Sequence, residues 1–440
     1  MRYIEQIKSF LLTLLVLLSI GLTLLIWNYK PDYELIEETK VEEILIGETK
    51  ELQDVLKPYR ALYYKDNQFY GTVSPQAINK IYSQLTPLHP RPLELINSNL
   101  TDVKINELLR MDNRLTLFFN EELPLQVFTD IFTINDKDVP EESFNRLIID
   151  WSNVETKDQL QLLFLNTEKR LLFRSITDIS DMTRFLADVV EPTKDYSLYM
   201  EVQREPLLSL YVAQDAVESI EYTYLIEDTL PDTYKNLLFS DPTIVRNVES
   251  AQYEKYMDAT SLMTVDTQNR ILNYVYPLAE SIAPISSSRL VEDSYDFIND
   301  HGGFTADYRL SSMNIDKHVV EYQLFLKGYP IYSNSTVTRI VTTWGENRIF
   351  RYRRPYYVIE QDIVRSVKEL PSGAEIIAYL ENNEDYSMKD IDEVVIGYYL
   401  TQDQDEEKLF LLEPCWFIIS NNTLKRITPE RIGGTYRGLE

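Results

Sequence analysis

Histidine, cysteine and carboxylate side chains supply most protein catalysis and metal binding, and this sequence sets them out for neither. Its three histidines, His89, His301 and His318, are separated so that no two share a helical face. No H-E-x-x-H run, clustered Cys/His set or EF-hand loop occurs, so the common metal spacings are absent. Glycine-rich phosphate loops and the G-x-S-x-G elbow are missing too, and 12 glycines leave little material for them. His318, two residues after Asp316, reads as a surface turn at the start of a strand. A glycosidase needs two carboxylates about 5–10 Å apart, but among 70 acidic residues no pair singles itself out. No cofactor, metal or catalytic residue is expected.

The basic residues are as sparse as the acids are abundant. Arg348, Arg351, Arg353 and Arg354 form the one basic cluster. On a strand, Arg351 and Arg353 point to one face and Arg354 to the other, which reads as a solvated strand end paired with local acids. The chain carries −27 at pH 7 over 440 residues, a balance that repels nucleic acid and anionic polymers. The single cysteine, Cys415, closes no intramolecular disulfide, and its apolar neighbours suit a small buried hydrophobe. Asn99, Asn334 and Asn421 open N-x-S/T triplets, which matter only in a glycosylating host.

The elements that must position any function begin at the N-terminus. Residues 9–28 form an apolar run ending at Trp27, and about 20 such residues span a bilayer as one helix. Arg2 and Lys8 precede it, while Asp32, Glu34, Glu37 and Glu38 follow it. The positive-inside rule therefore puts residues 1–8 in the cytoplasm and the body outside. Trp27 and Tyr29 fall at the outer membrane interface. Bulky residues fill the place where a signal peptide would be cleaved, so the span is expected to be retained. At 100° per residue Ser9, Thr13, Ser19 and Thr23 lie within an arc of roughly 120°. Such a stripe either packs against a partner helix or bonds its own i−4 carbonyls.

The exported part reads as α+β, with antiparallel sheets and packed helices in more than one domain. Boundaries are expected near Glu191-Pro192 and in the Pro- and Ser-rich stretch 277–288, giving segments 29–192, 193–285 and 286–440. Ser74-Pro75 opens a helix carrying Ile78, Ile81, Tyr82 and Leu85. Asn166-Thr-Glu-Lys169 and Thr267-Gln-Asn269 each sit in a hairpin. Ser288 opens a helix that stops at Gly302-Gly303. A helix followed by an antiparallel meander then recurs from Ala374, a weak internal repeat.

The basic start, the Leu-rich span, Trp27-Asn-Tyr29-Lys-Pro31-Asp-Tyr33, Lys327-Gly-Tyr-Pro-Ile-Tyr332 and Glu413-Pro-Cys-Trp416 together resemble the YycH (WalH) family of Gram-positive bacteria. The resemblance implies a C-terminal part similar to YycI and to PepSY-like modules. It also implies a role: an extracytoplasmic accessory protein whose transmembrane helix meets those of YycI and the sensor kinase WalK, setting the output of the WalK/WalR system that controls cell-wall metabolism. It carries no catalytic residues over. The alternative is a ligand-binding or protease-inhibiting module of PepSY type, merely tethered to the membrane.

Overall fold

Strict alternation builds the first sheet. Leu115, Leu117 and Phe119 are buried on one side of their strand, and Thr116 and Phe118 on the other. A sheet buried on both faces needs cover on both. The helices Pro75–Leu85 and Leu125–Ile131 pack on one side, and Asp102–Leu109 brings Ile105 and Leu109 to the other. The strands are β1 (Arg60–Lys65), β2 (Gln68–Thr72), β3 (Glu94–Asn97), β4 (Arg114–Pro124) and β5 (Ser143–Asp150). They continue with β6 (Gln159–Asn166), β7 (Leu171–Asp178), β8 (Ser197–Val202) and β9 (Leu210–Ala213). Their order is β3-β7-β6-β5-β4-β1-β2-β8-β9.

In the computed structural model the described residues are Leu15, Leu18, Ser19 and 46–427, without 133, 135–137, 251, 335–337, 404, 405, 421, 422 and the side chains of 130, 155 and 156. Two compact units divide the chain, 1–44 and 45–440. In the first, Leu15, Leu18 and Ser19 are helical. The remainder of the expected span, with Ser9, Thr13, Thr23, Trp27 and Tyr29, lies outside the described residues. Among the described residues no helix is long and apolar enough to cross a membrane.

The second sheet begins with β10 (Val217–Asp228), β11 (Arg246–Glu249), β12 (Tyr253–Met257), β13 (Leu262–Asp266) and β14 (Ile271–Val275). After the helix Ser287–Asp300 come β15 (Asp307–Asn314), β16 (Val319–Leu326), β17 (Tyr329–Tyr332), β18 (Arg339–Trp344), β19 (Ile349–Pro355) and β20 (Tyr357–Leu370). The helix Gly373–Glu381 leads to β21 (Glu393–Gln402), β22 (Leu409–Ser420) and β23 (Thr423–Ile427). The sheet runs continuously across residue 285, because β14 pairs with β19. Its two halves meet at a short parallel pair, Ile331 with Tyr398 and Tyr332 with Tyr399.

Local chemistry explains the helix ends. Ser74 Oγ accepts from the Ala77 N–H with Pro75 at the first helical position, and Ile78, Ile81, Tyr82 and Leu85 are buried as their spacing predicts. The helix expected from Ser288 starts at Ser287, capped by Ser286. It stops where Gly303, at φ +71°, returns its N–H to the Ile298 carbonyl at 2.8 Å. Ser294 then pins this helix to β18, accepting from Trp344 Nε1 at 2.8 Å and from the Thr342 hydroxyl at 2.9 Å.

Candidate functional site

Where the first sheet meets the second, a cavity of about 250 Å³ opens. One wall comes from Tyr59, Arg60, Thr72 and Tyr199, the other from Tyr329, Tyr332, Glu393 and Trp416. Gly328 makes the close approach possible: its φ is +89°, and a Cβ there would stand 2.0 Å from the Val73 carbonyl oxygen.

Among the described residues, the ion pair Arg60–Glu393 crosses the junction. Arg60, 3% exposed, donates from Nη2 to Glu393 Oε1 at 2.7 Å and from Nη1 to the Tyr211 carbonyl at 2.9 Å. Its guanidinium lies 4.5 Å from the Phe118 ring centroid. The Tyr59 hydroxyl donates to the same Glu393 oxygen. Burial opposes the Arg60 charge, but Tyr59 and the Glu393 carboxylate outweigh it and hold its pKa above the ordinary arginine value. Burial also pushes the phenols of Tyr196 and Tyr329 up to about 12, so both stay neutral hydrogen-bonding groups at physiological pH. Apolar rings with a few fixed polar groups suit retention of a small ligand. The Glu393 carboxylate is held by both Arg60 and Tyr59. Among the described residues no cluster of His, Cys, Asp and Glu fits a metal ion.

Of the residues singled out from sequence, some lie as their types and spacing read and others do not. Of the transmembrane stripe, only Ser19 is described. His318 does occupy a turn before a strand, at φ +52°, but it is buried rather than on the surface. Its Nδ1 lies 3.3 Å from the Trp344 carbonyl, because β18 folds back over it. In the arginine cluster Arg351 and Arg353 share the exposed face, as alternation requires, with no acid paired to either among the described residues. Arg354 is fully buried instead of solvated. It donates to the Gly303 carbonyl at 3.0 Å and the Tyr352 hydroxyl at 2.9 Å, with its guanidinium over the Tyr234 ring. Cys415 is buried, and that burial pushes its thiol up to about 12.

Sequence reasoning missed Arg60 and Glu393, which lie 333 residues apart. The available signals were a cation directly before the apolar strand residues 61–64 and an acid directly before Val394. Two runs that carried the family resemblance do border the cavity: Gly328, Tyr329, Pro330 and Tyr332 from one, Trp416 from the other.

Comparison with known proteins places this geometry in a lineage. The crystal structure of YycH from Bacillus subtilis superposes with a TM-score of 0.76 at 19% identity, covering 88% of this chain and 99% of that one, so the two share a fold. A protein of Bacillus subtilis (strain 168) described as "Two-component system WalR/WalK regulatory protein YycH" is 22% identical over 460 residues, 99% of each chain. The family described as YycH protein, N-terminal domain, matches residues 5–194, and YycH protein, C-terminal domain, matches 208–432. Matched by both domains in order along nearly its whole length, the chain belongs to the YycH family.

Proposed function

We propose that this chain is a membrane-anchored extracytoplasmic regulator, not an enzyme, that acts with a YycI-like protein to modulate a WalK-type sensor kinase through transmembrane helix contacts. The observation that carries the reading is the end-to-end similarity to a protein described as a WalR/WalK regulator. The apolar segment 9–28 supplies the anchor, with residues 1–8 cytoplasmic and the body on the extracellular face. Ser9, Thr13, Ser19 and Thr23 supply the face for a partner helix. A kinase with two transmembrane arrangements a few kcal/mol apart is biased by any helix that binds one of them better. Replacing residues 1–30 with an unrelated anchor tests this: kinase regulation should disappear, and retained regulation overturns the helix mechanism.

The cavity favours a second reading, a ligand-binding module for which the span is a tether. Its polar anchor, the Arg60–Glu393 pair, joins two sheets, so a ligand seated there contacts both. Residues 31–440 released from the membrane should then still regulate the kinase.

A further inference from the structure

Four adjacent strands of the second sheet, β19, β14, β13 and β12, bury one face and turn half-buried and exposed side chains outward, and the edge strand β11 extends them with every residue exposed. Inward, Tyr352, Tyr274, Leu272, Val265, Met263 and Tyr256 join the core. Outward, the register lines side chains up in rows that run across the strands. Arg351, Val275, Leu262, Met257 and Arg246 face one another in the first row. Arg353, Asn273, Thr264, Lys255 and Val248 make the second. In the first row a cation stands at each end, roughly 19 Å apart over four strand spacings, with an apolar centre between them.

Two properties set this face apart from an ordinary solvated surface. Arg246, Lys255, Arg351 and Arg353 are all exposed, and none is paired with an acid among the described residues. The four cations outnumber the acid that shares their face, Asp266, which stands across from Ile271 and Tyr253 and accepts from the backbone of Gln268 and Asn269, while Glu321 is taken up by Arg339 at 2.6 Å. A positive face therefore persists on a chain of net charge −27. Between the cations Met257 and Leu262 are 36% and 37% exposed, and Val248 at the edge beside Lys255 is 57% exposed. A face kept only for solubility mixes both signs and avoids such side chains. Arginine and methionine around an apolar centre form the composition of a protein interface.

We infer that this face docks a different polypeptide, one presenting carboxylates around an apolar centre. A second copy is disfavoured, since two such faces meet cation to cation. An anionic lipid surface or phosphate polymer matches the cations, but it is repelled by the rest of this acidic chain, and a phosphate polymer gains nothing from the apolar centre. This docking is separate from the helix contact proposed above.

The test is photocrosslinking in cells, with a benzoylphenylalanine at position 264, on the middle strand of the face, in the full chain. The expected product is one polypeptide adduct whose crosslinked surface is rich in Asp and Glu, with a yield that falls about tenfold in R351E/R353E and survives in R351K/R353K. It should also persist when residues 1–30 are replaced by an unrelated anchor, which separates its failure from that of the helix mechanism. An adduct unaffected by charge reversal overturns the inference. So does the absence of an adduct, or one formed with lipid, a phosphate polymer or a second copy of this chain.

Discussion

Removing Glu393 should cost the body more than any other single change at the junction of its sheets. The Arg60 side chain is 4% exposed and that of Glu393 19%, with 2.7 Å between them. In Glu393→Ala the guanidinium keeps the Tyr211 carbonyl at 2.9 Å and the Tyr59 hydroxyl at 3.4 Å but loses its counter-charge. Breaking a buried pair from one side costs about 3–5 kcal/mol, and partial exposure of Glu393 sets the expectation near the lower end, about 3 kcal/mol. That is roughly a hundredfold in the folding constant. Glu393→Gln keeps acceptors for Arg60 and Tyr59, so it should cost about half as much. The double substitution Arg60→Met with Glu393→Leu removes the charge that needs compensation and should return to within about 1 kcal/mol of the parent. Urea unfolding of residues 45–440 followed by tryptophan fluorescence reads all four proteins. Trp151 reports the first sheet, and Trp344 and Trp416 report the second. A Glu393→Ala loss below about 1 kcal/mol, or a double variant as unstable as the single one, would refute the reasoning.

Three further outcomes follow from local geometry. Gly328→Ala forces a Cβ toward the Val73 carbonyl at φ +89° and should lower stability by about 2 kcal/mol, read as a shift in the urea midpoint. Glu121, whose carboxylate accepts from Met313 N at 3.0 Å, is raised from 4.5 to about 7, by burial first and against that hydrogen bond. Its native form therefore holds a proton that the unfolded chain has lost. Its contribution is full below pH 4.5 and is lost as pH rises through about 7. Unfolding at pH 5 and 8 should show stability falling with pH, with a flatter slope in Glu121→Gln. Cys415, buried and raised to about 12, should resist iodoacetamide at pH 8 in the folded chain and label fully in urea, as mass spectrometry would show.

How far the sequence reveals the fold depends on whether a local signal has a rival. Ser74-Pro75 before apolar residues at helical spacing has none, and the helix Pro75–Leu85 follows from it. The hairpin of β6 and β7 is equally plain, because alternating runs flank one polar turn. Residues 357–370 are ambiguous: Ile359, Ile363, Val364 and Val367 suit a helix as well as a strand. Pairing with β10 settles it, a contact from more than a hundred residues away, and Ile363, Val364 and Val367 stay exposed on the edge strand that results. Arg354 misleads for a related reason. Arginine in a run of arginines looks solvated, and only two carbonyls and a phenol placed by the fold make its burial tolerable. The cavity is the least legible part, since its ion pair joins β1 to β21 with no spacing rule between them.

The route from body to N-terminus constrains any signal that passes along it. Residues 46–50 are fastened to the second sheet's helix and the loop after it, not to the first sheet. Gly47 N–H donates to the Gly302 carbonyl at 2.7 Å, and Glu48 bridges Phe304 in both directions. Lys50 is held by the side chains of Tyr295 and Asn299 on the helix Ser287–Asp300. Only at Tyr59, whose N–H donates to the Phe118 carbonyl at 2.9 Å, does the chain enter the first sheet. The strap is therefore fastened to the second sheet, and the cavity lies where that sheet touches the first. Under the ligand-binding reading, a ligand acts on the strap by favouring one arrangement of the two sheets over another, since a differential interaction with two arrangements is what a ligand contributes. Arg60–Glu393 and the Met313 N–H to Glu121 hydrogen bond are polar contacts that a shift between those arrangements strains. These contacts, with the apolar core that the two sheets share, thus set how stiffly the cavity is coupled to the N-terminal strap.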